Sequence, residues 1–173
     1  MIIRRLNPKD AKLYRAIRLE ALQTAPEAFG SSYEEEKQYP LELYERRFQE
    51  EYSATFGAFL EEQLCGVVTL VREQRNKLKH RANIYGVYVS PQTRGRGIAK
   101  KLLLEAIRKA EDMGGVEQIH LSVVTSNEAA GKLYRSLGFE TYGVQKKALK
   151  INDSYYDEEL MCYPIHGDGS IGQ

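Results

Sequence analysis

The run Arg94-Gly95-Arg96-Gly97 stands between the β-branched and aromatic segment Val87-Tyr88-Val89 and a regular apolar pattern that begins at Ile98. Residues of these types in this order can hold an anion. Backbone N–H groups at a helix start lack intrahelical acceptors, the helix dipole adds partial positive charge there, and glycines keep the approach free of Cβ atoms. Arg94, Arg96 and the neighbouring Lys100 add donors suited to phosphate oxygens. Taken alone, Gly95-x-Gly97 fits a simple chain reversal as well.

The flanking pattern says more. Gln92-x-x-Gly95-x-Gly97, after a Val-Tyr-Val strand and before a helix, resembles the coenzyme A pyrophosphate loop of the GNAT N-acetyltransferase superfamily. Asn127 and Tyr134, within the segment Asn127 to Phe139, resemble a later motif of the same superfamily, in its order and at about its spacing. The resemblance implies acetyl-CoA as cofactor. Its pyrophosphate would be held by N–H groups of Arg94, Gly95, Arg96, Gly97, Ile98 and Ala99, with Lys100 close by, and its pantetheine arm would pair with the backbone of Val87, Tyr88 and Val89. It also implies contact of Asn127 with that arm, a general-acid role for Tyr134, and a backbone N–H near Val89 facing the oxyanion. Read from the residues alone, Asn127 is a helix cap and Tyr134 a core aromatic with its hydroxyl at the surface.

The implied reaction is direct attack of a neutral primary amine on the acetyl carbonyl in a ternary complex. An alkylammonium has a pKa of about 10.4 and must first lose a proton. Many members of the superfamily place a Glu on the strand before the loop, whereas this chain has Asn83, Ile84 and Tyr85 there. A water chain ending on Tyr85, His80 or His120, or a Glu among residues 34–36, remains open as the base.

The 173 residues suit one domain, with 42% hydrophobic and 28% charged residues, and the expectation is an acetyltransferase domain over residues 1–165 followed by a flexible tail over 166–173. Met1 to Pro8 is too charged for a secretory leader, no apolar run reaches membrane-spanning length, and a cytoplasmic setting is expected. A net charge of +1 argues against nucleic acid as partner. Cys65 and Cys162 show neither metal-ligand spacing nor a disulfide-rich composition and read as free thiols, His80, His120 and His166 are scattered, and no metal is expected. Charge is unevenly spread: residues 20–62 hold eleven Glu against three Lys/Arg, and residues 63–114 hold eleven Lys/Arg against four acids. Two solvated faces explain this; so does a basic side for an anionic cofactor and an acidic side for a cationic acceptor.

The elements that must position these groups read β-α-α-β-β-β-α-β-α-β-β. A strand at Ile2 to Leu6 precedes a helix opened by Pro8 with Leu13, Ile17 and Ala21 inward, and Pro40 opens a second helix from Leu41 to Tyr52. The irregular link Glu27 to Tyr39 is a candidate substrate loop with Phe29, Tyr33 and Tyr39 as wall residues, or a surface connection whose aromatics pack down; Phe29, Tyr33 and, outside the loop, Tyr85 are the candidate acceptor contacts. A hairpin, Ala54–Leu60 and Leu64–Val71, precedes a strand from Arg81 to Val89, and Gly86 within that strand signals a bulge or a close approach. The helix from Ile98, the strand Gln118–Val124, a short helix capped by Ser126 or Asn127, and strands Phe139–Val144 and Tyr155–Tyr163 complete the pattern. The expected fold class is α/β (α+β mixed): a GNAT-like, mostly antiparallel sheet of about seven strands with helices on both faces.

Other readings are a dinucleotide-binding domain, disfavoured by Lys100 in place of the third glycine, and an acyl-CoA-binding sensor without turnover. Within the enzyme reading the acceptor is a small, cationic amine or a protein or peptide amine, and edge strands at the C-terminal end allow a homodimer.

Overall fold

The computed structural model describes residues 1–166, so the expected flexible tail lies, from residue 167 on, outside the described residues. Among the described residues seven strands and five α-helices follow one another as β1 (Ile2–Arg5), α1 (Ala11–Thr24), α2 (Tyr33–Glu36), α3 (Leu41–Arg47), β2 (Ser53–Leu60), β3 (Gln63–Arg72), β4 (Arg81–Val89), α4 (Ile98–Asp112), β5 (Gln118–Val124), α5 (Glu128–Leu137), β6 (Glu140–Ile151) and β7 (Ser154–Pro164). The strands form one sheet in the order β1-β2-β3-β4-β5-β7-β6, antiparallel except at β4–β5. This is the expected mixed α/β architecture. No helix among the described residues is long and apolar enough to cross a membrane.

Each sheet face carries its own core. The inward stripe of α4, Ile98, Leu102, Leu103, Ala106, Ile107 and Ala110, packs with Tyr134 of α5 against Ala82 and Ile84 of β4 and Ile119 and Leu121 of β5. On the opposite face Ile17, Ala21 and Leu22 of α1 and Tyr44 and Phe48, of and just beyond α3, close over Val67 of β3 and Tyr88 of β4. Burying an apolar side chain of this size contributes about 1.5–3 kcal/mol. The helices are therefore fixed by the sheet, and the strands reach the site from between two packed layers.

Four expectations need correction. Leu13 is 45% exposed, because the first turn, Pro8–Asp10, is a separate 3-10 turn and the buried stripe of α1 starts at Ala11. The second helix stops at Arg47 and does not reach Tyr52. The irregular link contains α2, started by a reciprocal Ser32–Glu35 capping box that satisfies two backbone or side-chain groups at its N-terminus. The expected connection Gln145 to Ser154 is largely strand: β6 runs on to Ile151 and turns at Asn152, whose φ is 54°. That extension is mostly exposed, so it lacks the alternation of apolar residues that marks a half-buried strand.

One buried ion pair ties α1 to α2. Arg18 Nε donates to both oxygens of Glu36, at 3.2 and 3.0 Å, and Nη2 donates to Oε1 at 2.7 Å; Tyr44 Oη adds a bond of 3.3 Å. Burial opposes ionisation of Glu36, but the Arg18 hydrogen bonds and charge outweigh it and hold the carboxyl below the ordinary range. A depressed carboxylate pKa contributes stability above the unfolded-state value of about 4.3 and loses it as pH falls through the folded-state value. Glu36→Gln is therefore expected to lower Tm at pH 7 and to flatten the acid limb of Tm against pH. Thermal unfolding from pH 7 to 3 checks this, and an unchanged acid limb would count against the pair.

Candidate active site

The loop after β4 has the geometry of the expected cradle. Gly95 and Gly97 both adopt left-handed φ values, 76° and 72°, and Gly97 caps α4 without any side-chain cap. Lys101 N donates to Gly97 O at 3.1 Å as the first backbone bond of the helix. The N–H groups of Ile98, Ala99 and Lys100 before it thus have no acceptor within the helix. A Cβ on either glycine would meet nothing within 4 Å, so the approach is open. The first turn of α4 holds no acid, and it holds Lys100 and Lys101 at the end where the dipole disfavours cations. An anion bound there relieves that cost. Arg94 Nε donates to Val89 O at 3.1 Å, which folds the guanidinium back along the loop, and Arg96 is exposed beside it. These groups fit the pyrophosphate of coenzyme A.

From the cradle a groove runs along β4. The parallel pairing of β4 with β5 covers only Arg81–Asn83 against Gln118–His120; beyond it the strands part, and both line a cavity of about 980 Å³. The β3–β4 register shifts between Val67 and Thr69, opposite Gly86, whose φ is 61°. Ser90 N donates to Cys65 O on β3 at 2.9 Å. Strand alternation then turns the Val89 N–H to the other edge of β4, into the gap. Val87, Tyr88 and Val89 all line the cavity. The Tyr88 hydroxyl is bonded to Thr24 Oγ1 and Glu20 Oε1, each at 2.9 Å, and so pins the end of α1 to the strand.

Tyr134 enters the same cavity from α5. It is 7% exposed and lies edge-on to Phe139 with ring centroids 6.0 Å apart. Burial pushes its phenol up to about 12, so the group keeps its proton at neutral pH. Among the described residues no side chain accepts from its hydroxyl, which leaves that proton for a ligand. Asn127 is both things the sequence allows: its Oδ1 caps α5 by accepting from Ala130 N at 3.2 Å, and the residue lines the cavity.

The candidate acceptor contacts separate. Phe29 is buried on Tyr88, ring centroids 6.4 Å apart, and lines the large cavity. Tyr85 is 56% exposed and lines both that cavity and a second one of about 350 Å³. Tyr33 lines neither; α2 turns it onto the α1-side core, with Lys37 Nζ 5.7 Å from its ring. Of the candidate bases, Glu34 is paired with Lys37, Glu35 belongs to the capping box, and Glu36 is held by Arg18. His120 bonds Gln118 at 3.0 Å and Tyr142 at 3.3 Å and, like His80, lines neither cavity.

Two residues enter the site that the sequence reading passed over. Glu158 of β7, opposite Val124, lines the large cavity and is engaged by no cation among the described residues. An acid in phase with Leu160 and Cys162 on an alternating strand is the signal that marks it. Arg18 lines both cavities, as do Tyr85 and Gly86, so these three join the two spaces. Nothing local distinguishes Arg18 from a surface arginine of an amphipathic helix.

Comparison with known proteins agrees with this geometry. The sequence model of the acetyltransferase (GNAT) family matches residues 18–139. The L-amino acid N-acetyltransferase AaaT of Escherichia coli is 31% identical over 105 residues, 61% of this chain and 64% of that protein. The N-alpha-acetyltransferase RimI of Mycobacterium tuberculosis is 38% identical over 74 residues, 42% of this chain and 44% of that protein. The chain thus spans less than two thirds of the length of these curated relatives. An acetyltransferase structure from Streptococcus pneumoniae superimposes with a TM-score of 0.82 at 26% identity, over 95% of this chain and 99% of that one.

Gly97→Ala forces a left-handed φ on a residue with a Cβ, at a cost of about 1–2 kcal/mol, and puts a methyl group at the cradle. Its affinity for coenzyme A, measured by calorimetry, is expected to fall about tenfold or more, while 3′-dephosphorylated coenzyme A loses a similar factor. An unchanged affinity would remove the cradle from the binding site.

Proposed function

The chain belongs to the GNAT acetyltransferase family, and on that premise we propose that it moves the acetyl group of acetyl-CoA to a primary amine of a small acceptor by direct attack in a ternary complex. The observation that supports this most directly is the parting of β4 and β5 after Asn83. It joins an open anion cradle at one end to a second cavity at the other, with Tyr134 and the Val89 N–H facing the space between.

Acetyl-CoA supplies the activated thioester; the chain supplies orientation and the proton transfers. In this reading the free backbone edge of Val87 and Val89 holds the amide-rich arm as an added strand would be held. The Val89 N–H donates to the carbonyl oxygen as negative charge develops on it, which is where a fixed dipole in a water-poor gap has most effect. Glu158 takes the ammonium proton, through water, before attack. The new N–C bond forms on the neutral nitrogen, the C–S bond breaks, and the second proton that the nitrogen sheds on becoming an amide passes through water to the Tyr134 phenolate left when the sulfur is protonated. Tyr134 delivers its proton to the departing sulfur, and its raised pKa keeps that proton in place across the neutral range. A cytoplasmic setting is part of the reading, supported by Cys65 and Cys162 standing as free thiols.

Release of free thiol from acetyl-CoA across a panel of polyamines, amino acids, aminoglycosides and short basic peptides tests the reading. Tyr134→Phe is expected to reduce kcat by about 10²-fold with acetyl-CoA affinity unchanged; unchanged turnover would end the general-acid assignment. Glu158→Gln is expected to lower kcat/KM most at neutral pH and progressively less towards the pKa of the acceptor amine, where free base is already abundant. A loss that is uniform across pH would point to a binding role for Glu158.

A further inference from the structure

The second cavity, about 350 Å³, opens beside Gly86 under α1 and α3. Its charged groups are Arg18, Glu36, Arg47 and Glu50. Glu36 has little left to offer a ligand: three contacts from Arg18 and one from Tyr44 occupy its oxygens. Glu50 is turned to the Tyr52 hydroxyl, whose ionisation it opposes. The donors are less fully used. Arg18 engages Glu36 through Nε and Nη2, and its Nη1 has no acceptor among the described residues. That nitrogen lies 3.7 Å from where a Cβ on Gly86 would stand, at the point where the cavity meets the gap between β4 and β5. Arg47 has no carboxylate within 4.0 Å among the described residues and lies 6.0 Å from the ring of Tyr44.

Of the eleven Glu among residues 20–62, only Glu36 and Glu50 line this cavity. Glu20 accepts from Tyr88, Glu34 and Glu35 are engaged within α2, and Glu36 is neutralised. What faces the acceptor side is guanidinium with unfilled donors, one of them already fixed in a buried pair. A planar fork held in this way suits a carboxylate oxygen. We propose that the acceptor is a primary amine that also carries a carboxylate, as an amino acid does, with the amine over Gly86 and the carboxylate on Arg18 Nη1 and Arg47. The inference rests on the transferase reading and replaces the expectation of a cationic acceptor drawn from the charge runs. Amine and carboxylate are separated by a single carbon in an α-amino acid, a span that suits Arg18 Nη1 standing 3.7 Å from the Cβ position of Gly86, and Arg47 lines the same cavity.

Removing Arg18 would strand Glu36 as a buried charge, so the test varies the ligand and uses Arg47. Thiol release from acetyl-CoA is followed with the L-amino acids, their carboxamides and spermidine, on wild type and Arg47→Gln, alongside calorimetric binding of the same amines to the coenzyme A complex. Expected are free acids at least tenfold better than their carboxamides in kcat/KM, mostly through KM, with the ratio falling to threefold or less in Arg47→Gln and coenzyme A affinity unchanged. Carboxamides or spermidine turned over as well as the acids would overturn the proposal and leave the transferase reading standing. No thiol release with any of these amines would overturn the transferase reading; binding of the acids that is lost in Arg47→Gln would then still support the carboxylate site, and no binding would end both.

Discussion

A strand inside a sheet that loses its neighbour is left with unpaired backbone donors and acceptors, and the site follows from where β4 is allowed to do so. Pairing with β5 stops after Asn83, and the bulge at Gly86 changes the phase of the strand against β3. Buried backbone groups carry a cost comparable to a lost hydrogen bond unless something satisfies them. Here Arg94 meets one, the Val89 carbonyl, and the remainder face a cavity of about 980 Å³. A ligand that continues the sheet completes a hydrogen-bond pattern the protein leaves open. The same departure of β4 from β5 creates the passage between the sheet faces.

The two cores keep that opening from collapsing. The α4 stripe grips β4 at Ala82, where it still pairs with β5, and at Ile84, just past the point of parting, while Tyr88 anchors the far half of β4 to α1 through Thr24 and Glu20. Each half of the strand is therefore tied to a different layer. The Arg18–Glu36 pair extends the second tie from α1 to α2 and fixes the link that carries Phe29. Glycines at 57 and 66 let neighbouring side chains close in on β2 and β3: a Cβ would come within 2.6 Å of Leu64 at the first and 3.0 Å of Ile98 at the second. The supporting strands are thus packed tightly against the layers on either side of them, whereas the glycines of the cradle face open space.

How much of this was legible in the sequence depended on whether the signal was local. The bounds of β4 and β5 follow from residue type alone, since Pro91 ends one and apolar alternation defines the other. The cradle is a local motif and was read with its donors. The bulge at Gly86 was likewise marked by a glycine inside a strand. The long β6 was not legible past Val144, because a strand exposed on both sides has no buried face to write an alternation into the chain. The Ser32–Glu35 capping box was present as a pattern but lay in a stretch too polar to suggest a helix. For a different reason, Arg18 carries no local signal and Glu158 carries only its phase with Leu160 and Cys162. One lies on the first helix and the other on the last strand, and only the closed sheet brings them to the same cavity.

The charge runs show how far composition can carry such an argument. The basic segment between β3 and α4 does what its sign suggests in part, since Arg94, Arg96, Lys100 and Lys101 collect around one helix start. That happens because the four lie within eight residues of chain, so local geometry alone gathers them. The acidic segment runs from the end of α1 through α2, α3 and β2, and folding distributes members of it to a cap, a surface pair, a tyrosine hydroxyl and a buried arginine. A carboxylate that already accepts two or three hydrogen bonds exerts little pull on a ligand, whatever its formal charge. The sign a site presents is set by the donors and acceptors left unfilled after folding, and beside Gly86 those are the nitrogens of Arg18 and Arg47.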